Sequence, residues 1–302
     1  MHDSNNNVYD IDQRNVSLAF NAAAQNYDAA SLLQQTVADR LIESIEMIKI
    51  NPGSILDLGS GTGYGSRILK QRFKKAQFYQ SDISVDMLKI ARKHSPKFFS
   101  KNHFVCADAA RMPVKDNQFD LVFSSLMLQW CNDLDLVFSE IKRMLKPGGI
   151  FMFASFGPDT LKELRESWQQ ADDHVHVNAF VDMHDIGDAL MRHGMEAPVL
   201  SVEHIVLIYD ECKKLMGDLK NIGAHNINAG RRKTLTGKQR LNKVIAHYET
   251  FRTNDKLPAT YEVVYGHAWR PDQERGHDSS DHSQSISLEK LKLDLKARKS
   301  KQ

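Results

Sequence analysis

The residues best suited to chemistry lie together in Ile55-Leu56-Asp57-Leu58-Gly59-Ser60-Gly61-Thr62-Gly63. A strand-length apolar run ends in an acid, then passes into alternating glycines that open a helix. Glycine admits positive φ and lets a ligand approach the backbone, and the free N–H groups of a helix N-terminus point into the same space. Two phosphate-binding patterns fail here: GxGxxG meets Tyr64 or Ser66 where its third glycine belongs, and no Lys-Ser or Lys-Thr follows the glycines. Asp57, set before the first glycine, suits a cationic or amino-bearing ligand better than a pyrophosphate. Asp82 closes Gln77–Ser81, where an acid can take both hydroxyls of a ribose. Asp108 closes His103–Ala107, within reach of an exocyclic adenine amine. Singly, each acid reads as a turn or cap residue. Three at successive strand ends beside one glycine loop read as a nucleoside site.

Such a loop needs a parallel sheet to hold it. Short apolar runs bounded by turn residues stand at Ser54–Leu58, Gln77–Gln80, His103–Cys106, Leu121–Phe123 and Ile150–Phe153. Amphipathic stretches separate most of them. Leu134, Val137, Phe138, Ile141 and Leu145 share one helical face, with Asp133 as N-cap and Lys146-Pro147-Gly148-Gly149 as the stop. This alternation predicts a doubly wound α/β fold. After Phe156 come helical segments near Thr160–Ala171 and Val181–His193, a strand-like Val199–Tyr209, a helix over Lys238–Arg252 and a last alternating run, Tyr261–Trp269. The late strands should complete the same sheet, in one domain over 16–270. Residues 1–15 and the polar stretch from Pro271 should be flexible, because they have too little to bury to offset their ordering entropy.

Composition narrows the class. The chain has 302 residues, 41% hydrophobic and 26% charged, enough for a sizeable core. A net charge of +2 gives no bulk attraction to nucleic acid or membrane. Mean hydropathy is −0.45, and no apolar stretch nears 18 residues. The three cysteines, Cys106, Cys131 and Cys212, share no paired or metal-type spacing, so a reduced, cytoplasmic protein without disulfides or a metal site is expected.

The segment Asp57–Gly63 with Asp82 and Asp108 resembles the class I S-adenosylmethionine-dependent methyltransferases, over about Asn51 to Phe156. The resemblance implies their Rossmann-like, mostly parallel seven-stranded sheet. It also implies that Asp57, Gly59, Gly61 and Gly63 hold the methionine end of the cofactor. Asp82 would bind the ribose, Ile83 and Met87 would lie against the adenine, and Asp108 with Ala109 would meet its amine. Ser124 and Leu126 would form the floor.

The flanks bear on the acceptor. Phe20–Asp28 resembles a stretch that many small methyltransferases carry as a helix closing over the cofactor, which implies that Tyr27 faces the reacting centre; the plainer reading is a surface helix in which Phe20 and Tyr27 merely pack. Gln129 and Trp130 follow the fourth strand into the same cleft, although Trp130 would serve equally in the core. From Gly230 to Lys243 there are six basic residues and no acid. Thr236 and Gln239 have capping-box spacing. Lys238 and Arg240 then fall in the first helical turn, where positive charge opposes the dipole by roughly 0.3–1 kcal/mol each. A helix start ringed by cations suits an anion, and a solvated basic loop is the plainer reading.

Leu128-Gln129-Trp130-Cys131, Phe156-Gly157-Pro158-Asp159-Thr160-Leu161 and Ala229-Gly230-Arg231-Arg232-Lys233 through Lys238, in this order, resemble the malonyl-[acyl-carrier protein] O-methyltransferases of biotin synthesis, over about Val16 to Pro271. The resemblance implies a malonyl thioester of carrier protein or coenzyme A as substrate and its methyl ester as product, with lid elements near 16–30, 157–195 and 211–255. Tyr27, His225, Arg231 and Arg232 are candidates to hold the carboxylate. Gln129, Trp130, Lys233, Lys238 and Arg240 are candidates to hold the rest of the substrate or its carrier. A monomer is favoured. Two rival readings fit the same residues: methylation of another small carboxylic acid or a quinone, and an assembly factor that binds cofactor without methyl transfer.

Overall fold

The computed structural model describes residues 10–96, 102–224, 226–228, 230–231 and 237–272. Three helices precede the sheet: α1 (Gln13–Ala23), α2 (Tyr27–Ala30) and α3 (Leu32–Ser44). The first half of the sheet follows as β1 (Ser54–Leu58), α4 (Tyr64–Arg72), β2 (Gln77–Asp82), α5 (Val85–His94), β3 (Asn102–Cys106) and β4 (Phe119–Ser125). Then come α6 (Leu134–Met144), β5 (Leu145–Phe156), α7 (Lys162–Gln169) and α8 (Met183–Arg192). The last elements are β6 (Glu196–Tyr209), α9 (Cys212–Asn221), α10 (Lys238–Tyr248) and β7 (Leu257–Trp269).

The seven strands form one sheet in the order β3-β2-β1-β4-β5-β7-β6. β7 alone runs against the others, pairing antiparallel with β5 and β6. The fold is that of a Rossmann-like class I methyltransferase, as expected. Strand alternation explains the two-sided core. Ile55 of β1 joins Val37 and Leu41 of α3 and Leu69 of α4 on one face. Leu56 and Leu58 join Phe138 and Ile141 of α6 and Leu190 of α8 on the other. The strand order reverses between β1 and β4, so a crevice opens at their carboxyl ends, where α/β sheets bind ligands.

Four local expectations need correction. Order begins before residue 16: Asp12 caps α1 by accepting from Arg14 N, and Ile11 forms a β-bridge with Asn228. The single helix expected over Phe20–Asp28 is broken at Ala24–Asn26, and Tyr27 opens α2. Gly237, without a side-chain hydrogen bond, stands at the N-cap of α10. The Thr236 half of the expected capping box lies outside the described residues. Finally, α3 and α9 were not foreseen. Leu33, Val37, Ala38, Leu41 and Ile42 bury one regular face of α3, whereas α9 buries only Cys212 and Leu215.

Candidate active site

The glycine loop is fixed to β2 before any ligand is considered. Gly59 N and Ser60 N both donate to Ser81 O, at 2.8 and 2.9 Å. Gly61 N donates to Asp82 Oδ2 at 2.8 Å, and Ser84 N donates to Asp82 Oδ1 at 2.8 Å. A Cβ on Gly59 would meet Met127 Cγ at 2.4 Å, whereas a Cβ on Gly61 would meet nothing within 4 Å. The backbone at Gly61, with φ of +53°, therefore borders open space.

That space is a cavity of about 670 Å³, its open mouth included, lined by Gly59, Gly61, Asp82, Ile83, Met87, Asp108, Ala109 and Leu126 among others. Val16 and Phe20 of α1 and Tyr27 of α2 cover it. α1 is held over the cavity by polar bonds to the segment after β2. Ser84 Oγ donates to Asn21 Oδ1 at 2.7 Å, and Ser17 Oγ donates to Ile83 O at 3.0 Å.

Two expected residues stand elsewhere. Ser124 is fully buried and donates to Leu58 O at 2.9 Å, because its side chain points between β4 and β1. The next residue, Ser125, lines the cavity instead. Gly63 is the N-cap of α4, where a Cβ would strike Gln80 Oε1 at 2.5 Å and Ala91 Cβ at 3.1 Å, so it serves packing. Asp57 borders a neighbouring compartment that shares Tyr27, Gly59, Gly61 and Ser125 with the main cavity. Its Oδ2 accepts from Ser66 Oγ at 2.7 Å.

Burial raises the Asp57 carboxyl to about 7, against the lowering bond from Ser66. Burial likewise raises Asp82 to about 6, against the N–H groups of Ser84, Gly61 and Ile83. A buried acid, Asp57, and a half-buried one, Asp82, in adjoining compartments with too little positive charge are matched to a cationic ligand. Burial and then the Asp82 and Asp28 carboxylates push the Tyr27 phenol well above its ordinary value. Its hydroxyl therefore keeps its proton at neutral pH.

A second cavity, of about 750 Å³ with its mouth, shares Phe20, Tyr27, Leu126 and Trp130 with the first. Phe20 packs edge-on to both Tyr27 and Trp130, at 6.4 and 5.3 Å between ring centroids. Its described lining carries no Lys, Arg, Asp or Glu. Polar groups enter from Gln34, Gln129, Thr160, His176, Asn178 and Asn226 among apolar walls such as Phe156, Leu164 and Tyr261. Gln129 spends its Nε2 on Leu126 O at 2.7 Å, which leaves Oε1 buried without a partner among the described residues. His176 stacks on Trp168 at 3.7 Å and bonds Asp172 Oδ1 at 2.7 Å.

Of the predicted carboxylate holders, only Tyr27 is seen at the cavities. Arg231 lines neither, and its backbone N–H donates to Asn228 O at 3.1 Å. His225, Arg232 and Lys233 lie outside the described residues. Lys238 is exposed on α10, and Arg240 Nε stands 3.8 Å from Asp172 Oδ2. Gln34, His176, Asn178 and Asn226 were missed. No glycine, repeat or paired spacing marks them.

Residues 56–153 match the methyltransferase domain family. The malonyl-[acyl-carrier protein] O-methyltransferase of Methylovorus sp. is 49% identical over 269 residues, spanning 87% of this chain and 91% of that protein. The chain belongs to the malonyl-[acyl-carrier protein] O-methyltransferase family. The member of that name from Nitrosospira multiformis is 48% identical over 276 residues, with 86% and 90% of the two chains covered. A more distant one from Coxiella burnetii is 37% identical over 284 residues, with 94% and 97% covered. Among solved structures, a putative methyltransferase from Bacillus halodurans superposes with a TM-score of 0.55 at 17% identity, covering 78% of this chain and 99% of its own. YcgJ of Bacillus subtilis gives 0.56 at 15%, covering 77% and 98%. These two share the fold. This family member is thus an S-adenosylmethionine-dependent methyltransferase. The open backbone at Gly61 and the two acids short of positive charge fit that cofactor, whose sulfonium and ammonium groups are cationic.

Proposed function

We propose that this chain methylates the free carboxylate of a malonyl thioester, borne by acyl-carrier protein or coenzyme A, to give the methyl ester. One observation carries the reading beyond family membership. The cavity across the Phe20–Tyr27–Leu126–Trp130 wall holds amides, hydroxyls and His176, and no described carboxylate, Lys or Arg. A carboxylic acid ionises near pH 4 and is already a nucleophile at neutral pH. It needs placement and removal of water, not a base.

The glycine loop and Asp57 would hold the amino-acid end of the cofactor, and Asp82 its ribose. Ile83, Met87, Asp108 and Ala109 would frame the adenine, above Leu126. When bound, S-adenosylmethionine supplies a methyl group on a positively charged sulfur, and the acceptor oxygen provides the electron pair that takes it. The Tyr27 hydroxyl, protonated at working pH, donates to the non-attacking oxygen of the carboxylate. Phe20 and Trp130 keep water from the shared wall. A fixed cation on the attacking oxygen would stabilise the ground state more than the transition state, and the described wall offers none.

Malonyl thioesters also have an acidic central carbon, so the bond formed identifies the chemistry. The product made from malonyl-coenzyme A should gain one methyl and release methanol on mild alkaline hydrolysis. A base-stable methyl would mean transfer to carbon and would overturn the reading.

A further inference from the structure

A short chain of amides beside the shared wall decides which atom one cavity residue presents. The backbone N–H of Asn228 donates to Asn226 Oδ1 at 3.1 Å, and Asn226 Nδ2 donates to Val175 O. Both ends of the Asn226 amide are thereby fixed. Asn228 Nδ2 donates to the same Asn226 oxygen at 2.9 Å, and to Asn178 Oδ1 at 2.8 Å. Reversing the Asn228 amide would set its oxygen against two oxygens, so its orientation is fixed as well. It is held even though Asn228 is 1% exposed and its own Oδ1 has no partner among the described residues. Asn178 comes last. With its oxygen committed to Asn228, the polar atom it can offer to the cavity it lines is the amide nitrogen, which takes no partner among the described residues.

The location gives this donor its meaning. Ile11 forms a bridge with Asn228, and Ile227 packs with Val16, Phe20 and Trp130, so the relay stands behind the wall between the two cavities. A carboxylate entering an apolar cavity needs donors to replace water. The described lining supplies no Lys or Arg. Gln129 presents an acceptor and cannot serve.

We infer that Asn178 donates a neutral hydrogen bond to the substrate carboxylate, as a specificity-determining residue that tells the acid from its methyl ester, and that Asn228 and Asn226 hold its amide in the donating orientation. This rests on the malonyl reading above. A neutral donor recognises the anion without the strong ion pairing that would blunt the attacking oxygen. The loss of negative charge on methylation weakens the same bond, which favours product release.

The test compares two ligands on one protein. The KM for malonyl-coenzyme A and the inhibition constant of its methyl ester are measured at saturating cofactor for wild type, Asn178→Ala, Asn178→Asp and Asn228→Ala. Wild type should prefer the acid. Asn178→Ala should raise the KM for the acid by about 10- to 100-fold, as expected for a bond to a charged partner, and leave the ester nearly unmoved. Asn178→Asp, with acceptors only, should lose more. Asn228→Ala should shrink the acid-to-ester preference although Asn178 is intact. The ratio does not depend on how much protein is folded, so a merely structural role would not move it. An unchanged ratio in Asn178→Ala, or equal loss for acid and ester, overturns the assignment. Wild-type protein that transfers no methyl to malonyl-coenzyme A or malonyl-carrier protein overturns instead the functional reading beneath it.

Discussion

The Asp82 carboxylate accepts the Gly61 N–H at 2.8 Å, so the acid at the end of β2 holds the middle of the glycine loop that follows β1. Its other oxygen takes Ser84 N at 2.8 Å, at the start of α5. One side chain thus sets the loop and the adjacent helix at a common edge of the cavity. It does so while burial works against its charge.

Asp82→Asn tests this arrangement. Both carboxylate oxygens accept, and an amide must turn its NH2 toward one of two N–H donors. Losing one such charged bond is worth about 1.5–3 kcal/mol. Affinity for S-adenosylmethionine, measured by calorimetry, should fall about 10- to 100-fold. An unchanged affinity would mean that Asp82 neither shapes the loop nor meets the cofactor.

The raised acids predict a pH dependence. Asp57 and Asp82 keep protons to about 7 and about 6 in the folded chain, above the ordinary value near 4. The folded state therefore binds more protons than the unfolded state between those values. The stability this gives the free protein is full below about pH 4, declines above it, and is gone once pH has risen through 6 to 7. A cationic ligand favours the ionised acids, so cofactor affinity should rise about tenfold between pH 5.5 and 7.5. Asp57→Asn should flatten that rise. A pH-independent affinity in wild type would contradict it.

Much of the cavity at the glycine loop was legible in sequence because its constraints are local. β1 ends one residue after Asp57, and among the glycines that follow Gly61 stands where backbone meets open space. Ser124 was misplaced by one residue, since strand alternation decides which of two adjacent serines reaches the cavity. The acceptor side was hidden for a different reason. Asn178 and Asn226 lie 48 positions apart in irregular segments. They matter only through Asn228, a contact that no periodicity announces. Arg231, chosen for its charge, lines neither cavity.

Gly59→Ala and Gly61→Ala should separate folding from binding. The added methyl at Gly59 overlaps Met127 Cβ and Cγ, at 2.5 and 2.4 Å, and should lower both the melting temperature and cofactor affinity. At Gly61 it meets nothing within 4 Å. That variant should be destabilised only by the left-handed backbone penalty, about 1–2 kcal/mol, yet bind cofactor at least about tenfold more weakly because the methyl fills ligand space. Equal behaviour of the two would contradict the cavity's position.

Carrier docking is best tested at Lys238, exposed in the first turn of α10. Arg240 is a poorer choice because its reversal would also disturb Asp172, which holds His176. Lys238→Glu should raise the KM for malonyl-carrier protein about 3- to 10-fold at low salt, more than that for malonyl-coenzyme A, and added salt should shrink the difference. Equal effects on both substrates would remove Lys238 from the docking surface.

We propose a malonyl carboxylate as the methyl acceptor. Transfer of labelled methyl from S-adenosylmethionine to malonyl-carrier protein, with acetyl-carrier protein alongside, tests it most directly. Label should appear on the malonyl substrate alone and be released as methanol by alkali. Label on both substrates, or on neither while cofactor is still bound, would contradict it.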